Sequence, residues 1–268
     1  MKKEYEELYI TKDKEGEALK RLIEIVKVLR KECPWDRVQT HETLTKCMIE
    51  EAYEVVDAIQ NEDSINLREE LGDVLLQVVF HTQMEKEKGV FDINDVADGI
   101  CKKLIYRHPH IFGDVKVGSS EEILSNWDDL KRKEKHQETD TSALASVAKS
   151  LPGLIRAEKI QKKAAKVGFD WDGADGALEK VEEELAEVRR ALAGDGDIEE
   201  ELGDLLFAVV NVARHKKVDA ERAVEKTCDK FIHRFGFMER QAKEENKVLS
   251  DLSLAEMDSL WNRSKEKV

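Results

Sequence analysis

Hydrophobic residues recur at intervals of three and four along nearly the whole chain, which is the spacing that lines one face of an α-helix. Few positions interrupt this pattern, since the chain holds only three prolines, Pro34, Pro109 and Pro152. No stretch shows the strict alternation of polar and apolar residues that is typical of a half-buried strand. The pattern therefore predicts an all-α fold made of long helices.

The helical pattern breaks in a polar segment that contains serine, threonine and a Pro-Gly pair. We predict a linker at 136–153, which separates an N-terminal half, 1–135, from a C-terminal half, 154–268. Each half is long enough to form a small helical domain with its own core.

The two halves resemble each other in sequence. The motif "CPWD", which ends at Asp36, reappears as "FDWD", which ends at Asp172, at an offset of 136. "IEEAYEV" at 49–55 matches "EEELAEV" at 182–188, and "EELGDVL" at 69–75 matches "EELGDLL" at 200–206 at an offset of 131. Matches in the same order predict a tandem repeat of one helical unit.

The repeated motifs carry carboxylates beside apolar helix faces. Glu51 and Glu54 flank the apolar face of one helix, and Glu70 and Asp73 lie one turn apart on the next. In the second repeat Asp204 is followed one turn later by Phe207 and Ala208 in an apolar stretch. Like charges in a partly dry site are unfavourable unless a cation lies among them, and ligands that are all oxygen favour Mg²⁺ or Mn²⁺.

A solvated acidic surface is the alternative to a metal site, because 38% of the residues are charged and acidic runs on helices usually face water. The coupling of two acidic motifs, which occurs in both repeats at nearly the same spacing, favours the metal site. Either motif alone would favour the solvated surface.

Composition narrows the classes of function. The net charge of −14 opposes binding to nucleic acid, although an acidic protein can bind a small polyphosphate through divalent cations.

The longest apolar stretch, 205–213, is shorter than the roughly 20 residues of a membrane-spanning helix. The N-terminus does not resemble a signal peptide, so we expect a cytoplasmic protein with no membrane partner. The four cysteines form no CxxC pair, and GxxxxGK[ST] is absent, which excludes a P-loop enzyme.

The stretches "EEAYEV…EELGDVLLQVVFH" and "KLIYRHPHIFGDV" resemble the MazG family of nucleoside triphosphate pyrophosphohydrolases in its two-repeat form. This resemblance implies an all-α fold in which two tandem MazG-like repeats form cores of the four-helix-bundle type, completed by a homodimer. It also implies a Mg²⁺-dependent enzyme, with Mn²⁺ as a substitute. Such an enzyme cleaves nucleoside triphosphates of broad range between the α and β phosphates to give a monophosphate and pyrophosphate, as a housecleaning activity on the nucleotide pool.

The resemblance also implies roles for individual residues. The metal ligands are Glu184, Glu187, Glu201 and Asp204 in the second repeat and Glu51, Glu54, Glu70 and Asp73 in the first. The catalytic residues are the four ligands of the second repeat together with their neighbour Glu183, although Glu183 and Glu200 could instead bind a further ion, orient a ligand or face water. The substrate-binding residues are Lys180, Glu200, Lys230, Arg234 and Trp261 in the second repeat and Lys103 and Arg107 in the first.

Some of these residues have a second interpretation. The basic pairs could form surface ion pairs instead of holding phosphate. Trp261, and Trp127 at the matching position of the first repeat, could be packing anchors instead of stacking on a base. Trp171 in "FDWD" is assigned to structure or to the shape of an entry loop.

The two repeats differ at one position next to the predicted metal site. Lys180 lies four residues before Glu184, whereas Cys47 lies four residues before Glu51. Since a cation there favours triphosphate binding, we expect the second repeat to be the main catalytic centre. Two alternatives stay open, namely a base-selective enzyme that prefers dUTP or dCTP on the same scaffold and a non-catalytic helical interaction module.

Overall fold

Helices form all the regular secondary structure in the part of the chain that the computed structural model describes, which comprises residues 7, 10, 11, 14, 16–114, 130, 134 and 139–265. No strand occurs among these residues, so the predicted all-α fold is confirmed. The chain divides into two compact units, Met1–Trp127 and Asp128–Val268. None of the described helices is long and apolar enough to cross a membrane.

The first unit contains five described α-helices and a short 3-10 helix at Asp36–Val38. The α-helices are α1 (Glu17–Glu32), α2 (Thr45–Gln60), α3 (Ser64–Lys88), α4 (Ile93–Arg107) and α5 (Pro109–Phe112). The Asp63 side chain caps α3 by accepting hydrogen bonds from the backbone N–H groups of Ile65 and Asn66. Gly89, at φ 73°, ends α3 in the left-handed conformation that glycine adopts most easily.

Helices α1, α2 and α3 enclose the core of the first unit. Its buried side chains are Val26, Leu44, Val79, Phe80 and Met84. They are contributed by α1, α3 and the residue before α2, so this core brings α1 and α2 onto α3.

The second unit contains six described α-helices and a 3-10 helix at Leu249–Asp251. The α-helices are α6 (Asp140–Ala145), α7 (Gly153–Lys166), α8 (Ala174–Leu192), α9 (Ile198–His215), α10 (Ala220–Glu244) and α11 (Leu254–Lys265). Helices α8 and α9 pack against each other as a hairpin, and α7 packs on α9. The turn between α8 and α9 ends at Asp197, whose side chain caps α9 by accepting a hydrogen bond from Glu199 N.

A separate cluster joins α10 to α11. Its buried side chains are Met238, Ala242, Leu252 and Leu260, and the partly buried Trp261 packs against them. The Asp219 side chain fixes the start of α10 by accepting a hydrogen bond from Arg222 N.

The predicted linker at 136–153 contains α6 in its described part. Thr139 and Ser142 form a capping box at the start of this helix, and α6 packs against α7. The linker boundaries stay a prediction.

Candidate functional site

Carboxylates from α8 and α9 meet in the second unit. Oxygen atoms of Glu184, Glu201 and Asp204 all lie within 4.8 Å of one another. Glu184 is 5% exposed, and its Oε2 atom is buried without a hydrogen-bond partner. A buried carboxylate oxygen without a partner is costly, and a hard divalent cation among three carboxylates would satisfy it. The residues of this cluster therefore fit the predicted metal site.

Lys180 lies at the edge of this cluster, one turn before Glu184 on α8. Its Nζ atom is 2.6 Å from Glu184 Oε1 and 2.9 Å from Glu183 Oε1. Hydrogen bonds to Glu183 and Glu184 raise the pKa of Lys180 above its usual value. Lys180 thus keeps its positive charge beside the acidic cluster.

Glu187 and Glu200 lie close enough to the cluster to influence Glu201. Burial raises the pKa of the Glu201 carboxyl, and the charges of Glu187, Glu184, Glu200 and Asp204 raise it further. Glu187 also accepts a hydrogen bond of 2.6 Å from Arg190 Nη2. The second unit therefore brings together all four of its predicted ligands, with three of them in the tightest group.

The first unit contains an equivalent cluster between α2 and α3. Carboxylate oxygens of Glu51, Glu70 and Asp73 lie within 4.8 Å of one another. Burial is the main cause that raises the pKa values of Glu51 and Glu70, and the nearby charges of Asp73 and Glu54 add to it. Both repeats thus form the acidic site that the sequence predicts, and the metal-binding role stays a prediction.

A cavity of about 510 Å³ opens beside the acidic cluster of the second unit. Lys180, Glu184 and Asp204 form part of its lining. The remaining lining includes the aromatic side chains of Phe169, Trp171 and Phe207 and the polar side chains of Gln161, Asn211, Asp170 and Arg214. Its volume and its mixture of aromatic and polar groups are typical of a small-molecule site.

Apart from Lys180, the predicted basic and aromatic substrate residues of the second unit lie on other helices. Arg234 of α10 stacks over the Trp261 ring of α11 at 5.7 Å from its centre, and the Phe231 ring lies 4.9 Å from that of Trp261. Among the described residues, no hydrogen bond or ion pair joins Lys230, Arg234 or Trp261 to the acidic cluster. Within one chain the structure does not bring these side chains into polar contact with the cluster.

The remaining predicted substrate residues lie on helices already described. Glu200 is exposed on α9, Lys103 is exposed on α4, and Arg107 is partly buried at the end of α4. Trp127 lies outside the described residues.

Several cavity residues have no role in the predicted site. Trp171, which the sequence assigns to structure or an entry loop, lines the cavity, and so do Gln161, Asn211 and Arg214. One sequence signal for them exists, because Asn211 is the single polar residue in the apolar stretch 205–213. Gln161 gives no such signal, since its contact with α9 arises only in the folded chain.

Comparison with known proteins identifies the family of the chain. The model of the MazG nucleotide pyrophosphohydrolase domain matches residues 39–112 and 174–236, which contain both acidic clusters. The nucleoside triphosphate pyrophosphohydrolase of Escherichia coli K12 is 44% identical over 252 residues, which cover 91% of this chain and 96% of that protein. A Thermotoga maritima protein named nucleoside triphosphate pyrophosphohydrolase/pyrophosphatase MazG is 42% identical over 93% of this chain and 96% of its own length.

A more distant relative, the nucleoside triphosphate pyrophosphohydrolase of Mycolicibacterium smegmatis, is 31% identical over 74% of this chain and 59% of its own length. These matches define the class of the protein as a nucleotide pyrophosphohydrolase, which confirms the predicted enzyme class. The chain belongs to the MazG family.

Proposed function

We propose that this protein is a Mg²⁺-dependent nucleoside triphosphate pyrophosphohydrolase that cleaves between the α and β phosphates. One observation carries the proposal, namely that Glu184 and Asp204 of the acidic cluster also line the cavity of the second unit, together with Lys180. A nucleoside in the cavity would extend its triphosphate toward these residues. The names of the E. coli and T. maritima relatives support the same substrate class. A broad range of ribo- and deoxyribonucleotides and a housecleaning role in the nucleotide pool complete the proposal.

Glu184, Glu187, Glu201 and Asp204 would hold the cation in the second unit, with Mg²⁺ preferred and Mn²⁺ as a substitute. When bound, the cation would offset the charge of the phosphate oxygens and help to activate a water molecule. Lys180 already donates hydrogen bonds to two carboxylates, and a phosphate oxygen offers it an equivalent anionic acceptor.

Glu183 lies outside the tight group of carboxylates and accepts a hydrogen bond from Lys180, which also pairs with Glu184. Its carboxylate is available to accept a proton from the water that attacks the α-phosphorus. As that water adds, the bond to the β-phosphate breaks and pyrophosphate leaves with the electron pair. No covalent intermediate with the protein is required.

The second unit is the main catalytic centre in this proposal. Lys180 has its counterpart in Cys47, which provides no positive charge at the first cluster. At the offset of 131, Asn211 of the cavity corresponds to Phe80, which is 4% exposed in the core of the first unit. The first unit therefore has the carboxylates, but it lacks the positive charge of Lys180 and the polar side chain of Asn211.

A homodimer is also part of the proposal. Leu178, Leu185 and Leu192 recur at intervals of seven on α8 and are 50%, 39% and 72% exposed. Leu202 and Leu206 are exposed on the neighbouring α9. Exposed apolar side chains on two paired helices are typical of a protein interface, and a second copy of this chain would cover them. Binding to nucleic acid is not proposed, because the net charge is −14.

Two alternatives make different predictions. A base-selective enzyme would hydrolyse dUTP or dCTP and leave the other nucleotides intact. An interaction module would show no turnover, but it gives no reason to bury Glu184 with one oxygen unpaired.

Product analysis tests the proposal. Purified protein is incubated with each of the eight common ribo- and deoxyribonucleoside triphosphates in Mg²⁺, in Mn²⁺ and in EDTA. We expect monophosphate and pyrophosphate in equal amounts with either metal and no product in EDTA. Release of orthophosphate and a diphosphate would contradict α–β cleavage. Absence of turnover from folded, metal-loaded protein would contradict the enzyme assignment for these substrates.

A further inference from the structure

The cavity of the second unit contains a side-chain amide that other residues hold in one orientation. Arg214 Nε donates a hydrogen bond of 2.8 Å to Asn211 Oδ1. Arg214 in turn forms an ion pair with Asp170 through two bonds, one of them 2.9 Å from Nη1 to Oδ2 and the other from Nη2 to Oδ1. Asp170, Arg214 and Asn211 all line the cavity.

The chemistry of these three groups fixes the direction of the amide. Arg214 Nε can only donate, so the Asn211 atom that faces it must be the carbonyl oxygen. The Arg214 ion pair with Asp170 prevents the guanidinium from turning away, and the same ion pair lowers the pKa of the Asp170 carboxyl. Asp170 therefore stays charged near neutral pH and keeps Arg214 in place.

The Asn211 Nδ2 amino group remains as a free donor in this wall. Asn211 is 5% exposed, and no acceptor for Nδ2 is found among the residues that the structure describes. The nearby Gln161 donates from Nε2 to Phe207 O at 2.8 Å, and its Oε1 is an unpaired acceptor that is buried from the surface of the cavity. Asn211 Nδ2 is thus a donor that this part of the cavity presents to a ligand.

We propose that Asn211 is a specificity-determining residue that donates a hydrogen bond to a carbonyl oxygen of the nucleobase, with Asp170 and Arg214 as its positioning residues. This inference rests on the proposed function, because it assumes that the cavity holds the base. A donor in this place favours uracil, thymine and guanine, which carry a ring carbonyl where cytosine and adenine carry an amino group. An amino group facing Nδ2 would leave two donors opposed and unpaired.

The first unit lacks this whole arrangement. At the offset of 136 Pro34 corresponds to Asp170, and at the offset of 131 Phe80 and Gln83 correspond to Asn211 and Arg214. All three members of the network are replaced together, while the acidic cluster is retained in both units. Such a joint difference is what a dedicated recognition network in the second unit would produce.

The pair UTP and CTP tests the proposal, because the two bases have nearly the same size and differ along one edge, where uracil has a C4 carbonyl beside N3–H and cytosine has a C4 amino group beside an unprotonated N3. We expect wild-type kcat/KM to be higher for UTP by about tenfold, the effect of one buried hydrogen bond. Asn211→Asp replaces the free donor with an acceptor while Arg214 Nε still holds the other oxygen. We expect this variant to reverse the preference, with the change mainly in KM.

Two further variants separate recognition from structure. Asn94→Asp makes the same change of charge at an exposed position of α4 in the first unit and should keep the wild-type ratio. Arg214→Lys keeps a positive charge for Asp170 but has no Nε for Asn211, so the amide can rotate. We expect its ratio of UTP to CTP to approach one, whereas a merely structural defect would lower both rates equally.

Each outcome has one meaning. Equal kcat/KM of the wild type for UTP and CTP overturns the inference, whatever the variants do, and leaves the proposed function intact. A uniform loss with both nucleotides in Asn211→Asp also overturns it. If the wild type hydrolyses neither these nor the other nucleoside triphosphates, the proposed function itself fails.

Discussion

At the scale of single residues, the carboxylates of the acidic cluster in the second unit lie close together although their negative charges repel one another. Glu184 is almost fully buried, and Lys180 pairs with only one of its two oxygens. Glu201 lies among four other carboxylates that oppose its ionisation. Without a cation such a cluster lowers the free energy of unfolding, and a cation that binds only the folded chain restores it.

The raised pKa of Glu201 predicts how stability depends on pH. Because the pKa of Glu201 is raised in the folded chain, the folded chain holds this proton more tightly than the unfolded chain does. Glu201 therefore destabilises the metal-free protein as the pH rises from the ordinary pKa of a glutamate through the raised pKa of the folded state. Glu201→Gln removes this repulsion. We therefore expect a higher Tm than wild type in EDTA at pH 8 and little difference at pH 4, as measured by thermal denaturation.

Two controls accompany this measurement. Glu182→Gln, at an exposed position of the neighbouring helix α8, should leave Tm close to wild type at both pH values. Added Mg²⁺ should raise the Tm of wild type more than that of Glu201→Gln. A lower Tm for Glu201→Gln in EDTA at pH 8 would mean that the carboxylate stabilises the metal-free cluster.

At the scale of helices, α8 and α9 place the site, and the sequence predicts much of this. Intervals of three and four indicate the helices, and the spacing of acids puts Glu184 and Glu187 on one helix and Glu201 and Asp204 on the next. The cavity could not be predicted in the same way. It depends on contacts such as Gln161 with Phe207 and Arg214 with Asp170, whose partners are 46 and 44 residues apart. Local periodicity carries no information on such contacts.

Gly176, near the start of α8, leaves room for the side chain of Trp171, which lines the cavity. A Cβ atom at this position would overlap Trp171 Cδ1 and would lie 3.0 Å from Trp171 Cγ. Gly176→Ala should push the Trp171 indole from the cavity wall and lower the free energy of unfolding by about 1–3 kcal/mol. The measurements are denaturant unfolding and KM for a nucleoside triphosphate, which should rise.

Gly99 in α4 provides the matched control. No atom lies within 4 Å of a Cβ built there, so Gly99→Ala should stabilise the helix by up to about 1 kcal/mol. If Gly176→Ala stabilised the protein like Gly99→Ala and left KM unchanged, Trp171 would not form a fixed wall of the cavity.

At the scale of the whole molecule, two units share one acidic motif and differ in what surrounds it. The second cluster adjoins a cavity with Lys180 and Asn211, whereas the matching positions of the first unit hold Cys47 and Phe80. Repeat comparison reveals the difference at Cys47 from the sequence alone. Only the fold shows that Phe80 is a core residue of the first unit, because its side chain is buried among Val26, Leu44 and Met84.

The exposed leucines of α8 predict the oligomeric state. We expect sedimentation equilibrium to give a mass of twice 30.7 kDa for the wild type. Leu185→Lys places a charge in the middle of the leucine row and should yield monomers, because burying an unpaired charge in an interface costs several kcal/mol. Leu254→Lys, at a 73% exposed position of α11, should remain dimeric. A wild-type mass of 30.7 kDa would contradict the proposed homodimer.

Pyrophosphate release by wild type, Glu201→Gln and Glu70→Gln tests most directly whether the second acidic cluster is the catalytic centre. The two variants make the same change at equivalent positions of the two clusters. We expect Glu201→Gln to lower kcat by about 100-fold or more, as expected for a charged group at the reacting centre, while Glu70→Gln stays close to wild type. Equal losses in both variants, or a loss in Glu70→Gln alone, with all proteins folded, would contradict a catalytic centre confined to the second unit.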